Sequence, residues 1–144
     1  MYFGSMTKIA KCTFDAIHGI PLVKVIVAQN QSAFNKKVVS DNLVAMIDTG
    51  AYLCYCKKSI LDKLSLYKTG NKEKTFIVGD GSIKEFETFS CAIYLDGNGI
   101  IDNVQVAEIS DEFKYDFIIG TQLLEQFKFV YSPKERIVSL EHIG

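Results

Sequence analysis

Apolar runs of about 5 to 8 residues, rich in Val, Ile, Phe and Tyr and separated by turn formers, recur along the chain, a spacing that suits strands and makes the expected fold class all-β. IAKCTF and LVKVIVAQ flank IHGIP, where Gly19 and Pro21 turn the chain, so residues 8–29 are expected to form a hairpin. QNQSAFNKK then reads as a solvated loop or an extended hairpin tip. NLVAMID is nearly all apolar, as expected of a strand buried on both faces, and it delivers Asp48, Thr49 and Gly50 to a strand end. KKSILDKL suits one short helical turn, and KEKTFIVGDGSIKEF has two strand-like arms around a Gly-Asp-Gly tip. FSCAIYL alternates Phe89, Cys91, Ile93 and Leu95 on one face before DGNG returns the chain into IIDNVQVAEI. Only DFIIGTQLLEQFKFVYSP changes period: Leu123, Leu124 and Phe127 fall on one side of a helix expected to begin after Gly120 and end before Pro133. RIVSLE closes the chain as a last strand.

A length of 144 residues with a 48% hydrophobic fraction is one domain's worth and ample for a continuous core. Residues 6–144 are read as that domain, and residues 1–5 of MYFGSM as a cloning remnant before Met6. The formal net charge is −1, with 16 basic and 17 acidic side chains spread along the chain. No basic stripe is available to neutralise phosphates or anionic lipid, so neither nucleic acid nor membrane is expected as a partner. No apolar run approaches the roughly 20 residues that cross a bilayer, and no export signal is seen, which makes the four cysteines reduced thiols of a cytoplasmic protein.

The chemistry is concentrated where MIDTGAYLCYC follows an apolar strand. Asp48 is placed at a strand end, with the Thr49 hydroxyl available to fix the loop and Gly50 allowing a backbone N–H to approach the carboxylate. An ordinary strand-to-turn aspartate is the competing reading. FIIGTQ repeats the pattern of an apolar strand running into a glycine, as two loops packed near one another would require. Cys54 and Cys56 alternate and so point the same way, but structural zinc takes four ligands in clustered pairs. Cys12, Cys91, His18 and His142 are scattered, and neither histidine has a context for activating a thiol. No metal and no organic cofactor is expected.

MIDTGA, then VGDGS at 78–82, then FIIGTQLLEQF bring an acid loop, a glycine-tipped hairpin and a hydrophobic-hydrophobic-glycine motif in one order. In this the chain resembles the retroviral-type (retropepsin-like) aspartic proteases over roughly residues 8–141, and among them those of plant pararetroviruses or LTR retrotransposons. The resemblance implies a single-domain closed β-barrel with a flap hairpin and one short C-terminal helix, active as a homodimer. Peptide hydrolysis by this route needs two carboxylates sharing one proton, one to activate water and one to polarise the carbonyl. Asp-Thr-Gly occurs once, and Asp80 and Asp116 lack that context, so the second acid is expected from Asp48 of a second copy. Thr49 would bond across the twofold axis, residues 76–83 would fold over the substrate, and Ala51, Val78, Gly79, Asp80, Gly81 and Ile118 would contact it.

Residues 8–13 and 136–141 are candidates for a sheet shared between copies, or else they pair within one subunit. Retroviral relatives continue the acid loop with two acids and open the later helix with arginine, where this chain has Tyr52, Leu53 and Thr121. Losing both partners of such a pair can be nearly neutral for the fold. The isolated chain is accordingly expected to be largely monomeric in dilute solution. The expected activity is cleavage of a viral or retroelement polyprotein, best at acidic pH, in the host-cell cytoplasm or in virus particles; the alternative is a non-catalytic dimerisation or peptide-binding module.

Overall fold

The computed structural model describes residues 9–15, 17–76 and 83–143. Ten strands carry the fold: β1 (Ile9–Phe14), β2 (Pro21–Ala28), β3 (Leu43–Ile47), β4 (Cys54–Lys57), β5 (Tyr67–Phe76), β6 (Ile83–Leu95), β7 (Gly99–Ile109), β8 (Phe117–Ile119), β9 (Phe127–Ser132) and β10 (Ile137–His142). Among the described residues three short helices interrupt them, α1 (Gln31–Asn35), α2 (Lys58–Leu64) and α3 (Thr121–Leu124). The strands form one sheet in the order β5-β6-β7-β4-β8-β3-β2-β1-β10-β9. Val25–Ala28 of β2 also pair with Ala92–Leu95 of β6, so the ladders from β2 through β3, β8, β4, β7 and β6 return to β2.

Alternation sends one face of each of these strands inward. Val23, Val25 and Val27 of β2, Leu43, Ala45 and Ile47 of β3, Cys54 and Cys56 of β4, and Phe117 and Ile119 of β8 join a single core with Cys91, Ile93 and Leu95. Burying such Val, Leu, Ile and Phe side chains contributes about 1.5–3 kcal/mol each. β6 follows its expected alternation, and Gly97 and Gly99 turn it into β7 with φ of 85° and 115°.

Three expectations are corrected. β3 is buried on one face only: Val44 is 39% exposed and Met46 half-buried, because the second face of the central strands opens to the surface. The helix after Gly120 lasts four residues, and Phe127–Ser132 is a strand. FKFVYS alternates Phe127, Phe129 and Tyr131, a period-2 pattern that overrides the one apolar turn before it. QSAFN, read as loop, is helical because the Asn30 side chain caps it, accepting from the Ala33 N–H at 3.0 Å.

The terminal strands pair within the chain: Ile9–Lys11 of β1 run against Ser139–Glu141 of β10. The same stretch of β10 pairs with Phe129 and its neighbours in β9, so both edges of β10 are taken. β5 and β9 end the sheet order.

Candidate active site

β3 and β8 lie side by side and parallel, Ile47 against Ile119, and each runs out into a glycine-containing loop. The Asp48 N–H donates to the Ile119 carbonyl at 2.9 Å. The Thr121 and Gln122 N–H groups donate to the carbonyls of Ala51 and Tyr52, each at 2.8 Å. These first donors of α3 would otherwise be orphaned, and the acid loop satisfies them. A Cβ on Gly120 would sit 2.1 Å from the Leu53 carbonyl oxygen and 2.7 Å from that of Tyr52, so only glycine permits this approach. The two loops are packed together as their matching sequences imply. At the positions where the retroviral pattern has charges, Leu53 is buried and the backbone of Ala51 and Tyr52 makes the tie to α3.

Asp48 is half-buried at the end of β3, and its Oδ1 accepts from the Gly50 N–H at 2.8 Å. Side-chain size at residue 50 is limited by the same closeness, since a Cβ there would stand 3.2 Å from Oδ1. The Ala51 N–H returns to the Asp48 carbonyl at 3.2 Å, closing the turn. Thr49 and Gly50 are exposed and Ala51 half-buried, so the loop presents itself to the surface. Among the described residues no second carboxylate bonds to Asp48. Asp116 is occupied elsewhere: its carboxylate accepts from the Val44 N–H at 3.2 Å and lies 3.4 Å from Lys57 Nζ. Asp116 pairs at the level of Val44, four residues along β3 from Asp48, or about 13 Å at strand rise.

Strand alternation puts Val44, Met46 and Asp48 on the face opposite the core, and Ile118 joins them, with Met46 and Tyr55 as its register partners. Ile118 is 8% exposed but stands outside the core cluster that holds Phe117 and Ile119. Met46 was readable as a member of this face by counting two back from Asp48; Tyr55 joins it through the pairing of its strand with β8, which no count along the chain gives. Of the other expected substrate contacts, Val78, Gly79, Asp80 and Gly81 lie outside the described residues. Their supporting arms are present as β5 and β6, paired up to Phe76 and Ile83. The base of this hairpin carries a register shift between Lys68 and Lys72, with Gly70 at φ 84°. Thr88, 1% exposed, holds it by bonding to the Thr69 hydroxyl, the Asn71 carbonyl and the Gln105 amide.

A further tie escaped the sequence reading. Asp15, in the β1–β2 turn, accepts from Tyr115 Oη at 2.7 Å and Lys114 Nζ at 2.9 Å, and its other oxygen caps the Ile17 and His18 N–H groups. The Tyr115 hydroxyl, with the His18 N–H and the Lys114 ammonium, holds the Asp15 carboxyl well below the usual carboxylate range. The local cap was legible in an aspartate preceding IHG; the reach across the fold to Tyr115 was not.

Cys54 and Cys56 both point into the core, where burial pushes their thiols up to about 12. Among the described residues no three His, Cys, Asp or Glu side chains come together as a metal site would need, and no helix is long and apolar enough to cross a membrane.

A scan of protein families and a search of curated proteins by sequence both find no match. Among solved structures the chain is similar to a retropepsin-like aspartic protease from Rickettsia conorii, with 17% sequence identity, a TM-score of 0.62, and coverage of 99% of this chain and 97% of that one. The likeness extends over the whole fold, and this chain has the mostly β, retropepsin-like architecture.

Proposed function

We propose that the chain is an aspartic endopeptidase whose reacting centre is assembled from the Asp48 carboxylates of two copies. The observation that carries this reading is the Asp48 loop itself: a half-buried carboxylate at a strand end, one oxygen fixed by the Gly50 N–H, locked to the Gly120 loop and flanked by an exposed Thr49. A lone carboxylate cannot both activate water and hold the proton that polarises an amide carbonyl, so the site needs a second acid. A twofold axis beside Thr49 supplies it without further sequence. The paired carboxylates then take a proton from water as it attacks the scissile carbonyl, and return one to the departing amine. Val44, Met46, Ile118 and Tyr55 give an apolar floor along which an extended peptide lies beneath the β5–β6 hairpin.

Exchange of terminal strands would have to break the ladders that occupy both edges of β10. In this reading the copies meet through the Asp48–Gly50 loop, and the strand order leaves the outer edges of β5 and β9 for any further contact between them. The natural substrate in this reading is a polyprotein of a virus or retroelement.

The test is incubation of a denatured protein at several pH values with wild-type chain, with Asp48→Asn, and with a statine-type inhibitor. Cleavage at acidic pH that the substitution and the inhibitor both abolish is the expected result. Cleavage that survives Asp48→Asn refutes the mechanism, and absence of cleavage under all conditions favours the non-catalytic peptide-binding alternative.

A further inference from the structure

We infer that an apolar cavity beyond Tyr55 is an accessory recognition site for a bulky apolar or aromatic substrate side chain about four residues from the scissile bond. The inference rests on the endopeptidase reading for its substrate, and deepens it. The cavity measures ≈880 Å³ and is walled by Tyr55, by Phe86 of the hairpin strand β6, and by Ile109 and Phe113. That volume exceeds what one side chain fills and lies in the range of built ligand sites.

Its position follows from register. Tyr55 pairs with Ile118, and Ile118 with Met46, so Tyr55 lies two strands across and two residues back from Asp48 on one continuous face. With strands about 4.8 Å apart and a rise of about 3.3 Å per residue, the separation is about 12 Å. An extended peptide bound over Asp48 covers that distance in about four residues, and β6, one arm of the hairpin in the proposed reading, supplies Phe86 to the cavity.

The far wall is preformed. Phe113 is 37% exposed and lines the cavity. Its N–H donates to the Ser110 carbonyl at 3.1 Å, and its ring meets that of Tyr115 edge-on at 6.3 Å. Tyr115 is in turn tied to Asp15. The neighbouring Asp111 carboxylate accepts from the Ser59 N–H at 3.0 Å, fixing the loop to α2. An apolar occupant enters a wall already held in place and so forfeits little ordering entropy. Lys58, Lys84, Glu108, Asp111 and Glu112 set charges of both signs around the cavity. Neither sign dominates enough to select a charged occupant, and the apolar floor selects the apolar one.

Two measurements test this. Cleavage sites in a denatured protein are mapped by mass spectrometry for wild type and Phe113→Ala. Binding of paired peptides, Phe or Ala at the fourth residue from a central apolar pair, is measured on the inactive Asp48→Asn chain with and without Phe113→Ala. The expected result is enrichment of aromatic residues about four positions from the cut, and a preference for the Phe peptide on the order of tenfold that Phe113→Ala brings near unity. Phe86→Ala serves as the second variant should Phe113→Ala fail to fold. Cleavage without enrichment, or a binding preference that survives both substitutions, overturns the inference. A binding preference lost with Phe113 in a chain that cleaves nothing leaves the cavity assigned and removes the protease reading instead.

Discussion

Asp48 and Ile119, 71 positions apart in the chain, are joined by a 2.9 Å hydrogen bond from the N–H of the first to the carbonyl of the second, at the point where both strands end. The bond fixes where the carboxylate emerges, and the bonds from Thr121 and Gln122 to Ala51 and Tyr52 fix the loop beyond it. The candidate acid is thus held by backbone from a neighbouring strand, a support that does not depend on the charge pair of retroviral relatives.

Gly120→Ala breaks this support. The added methyl meets carbonyl oxygens of Leu53 and Tyr52, neither of which is the end of a flexible side chain. Relief requires moving the Asp48 loop away from α3. The variant is expected to lose upwards of about 3 kcal/mol in denaturant unfolding and all measurable cleavage. A variant with wild-type stability would show that the two loops are not packed as described.

Subunit mixing separates a shared site from a self-sufficient one. When wild-type chain is diluted with an equal amount of Asp48→Asn at fixed total concentration, random pairing leaves about a quarter of the sites with both carboxylates. Cleavage is expected to fall to about that fraction, whereas a chain that works alone keeps half. The mixing is read at a concentration where sedimentation shows a dimer, since the isolated chain is expected to dissociate on dilution.

Much of this was legible in the residues. Strand-length runs bounded by Gly, Pro and Asn marked the sheet, and the shared apolar-to-glycine pattern of MIDTGA and FIIGTQ marked two loops that do pack together. Failures came where one local signal concealed another. Leu123 and Leu124 suggested a longer helix, while the alternation of Phe127, Phe129 and Tyr131 set the strand that follows. The apolar run of β3 suggested burial on both faces, because composition does not distinguish a core face from a partly exposed apolar one; Val44 and Met46 lie on the face opposite the core. The tie from Asp15 to Tyr115 spans 100 positions, and no spacing rule reaches that far.

Thiol chemistry offers a check on the core. Burial pushes Cys12 up to about 11 and Cys54 and Cys56 to about 12, and Cys91 is raised well above its ordinary value for the same reason. At about pH 8 even Cys12 is thiolate in roughly one molecule per thousand. A disulfide reagent is expected to leave the native chain unmodified over the minutes in which a free cysteine reacts, and to titrate four thiols after unfolding. Rapid native modification of two or more thiols would contradict the placement of Cys54, Cys56 and Cys91 in the core, and loss of cleavage on modification would implicate a thiol in the reaction.

The last prediction concerns pH. The Asp15 carboxyl is held below its ordinary value by the Tyr115 hydroxyl first, and then by the His18 N–H and the Lys114 ammonium. A group lowered in the folded state stabilises the fold in full above its unfolded value and loses that contribution progressively as pH falls from the unfolded value through the folded one. The unfolded value lies near 3.9, so the contribution is intact at the mildly acidic pH where a shared-proton site works, and begins to fade only below about pH 4. Asp15→Asn is expected to lower the melting temperature at neutral pH by several degrees and to keep that deficit at about pH 5. Below about pH 4 the two melting curves should converge, because protonated aspartate then resembles asparagine in charge. Tyr115→Phe should show a smaller deficit, since the Lys114 and backbone donors remain. A deficit that stays constant as pH falls well below 4 would mean that the Asp15 carboxyl is not lowered in the folded chain and that the loop carrying Phe113 is not held by it.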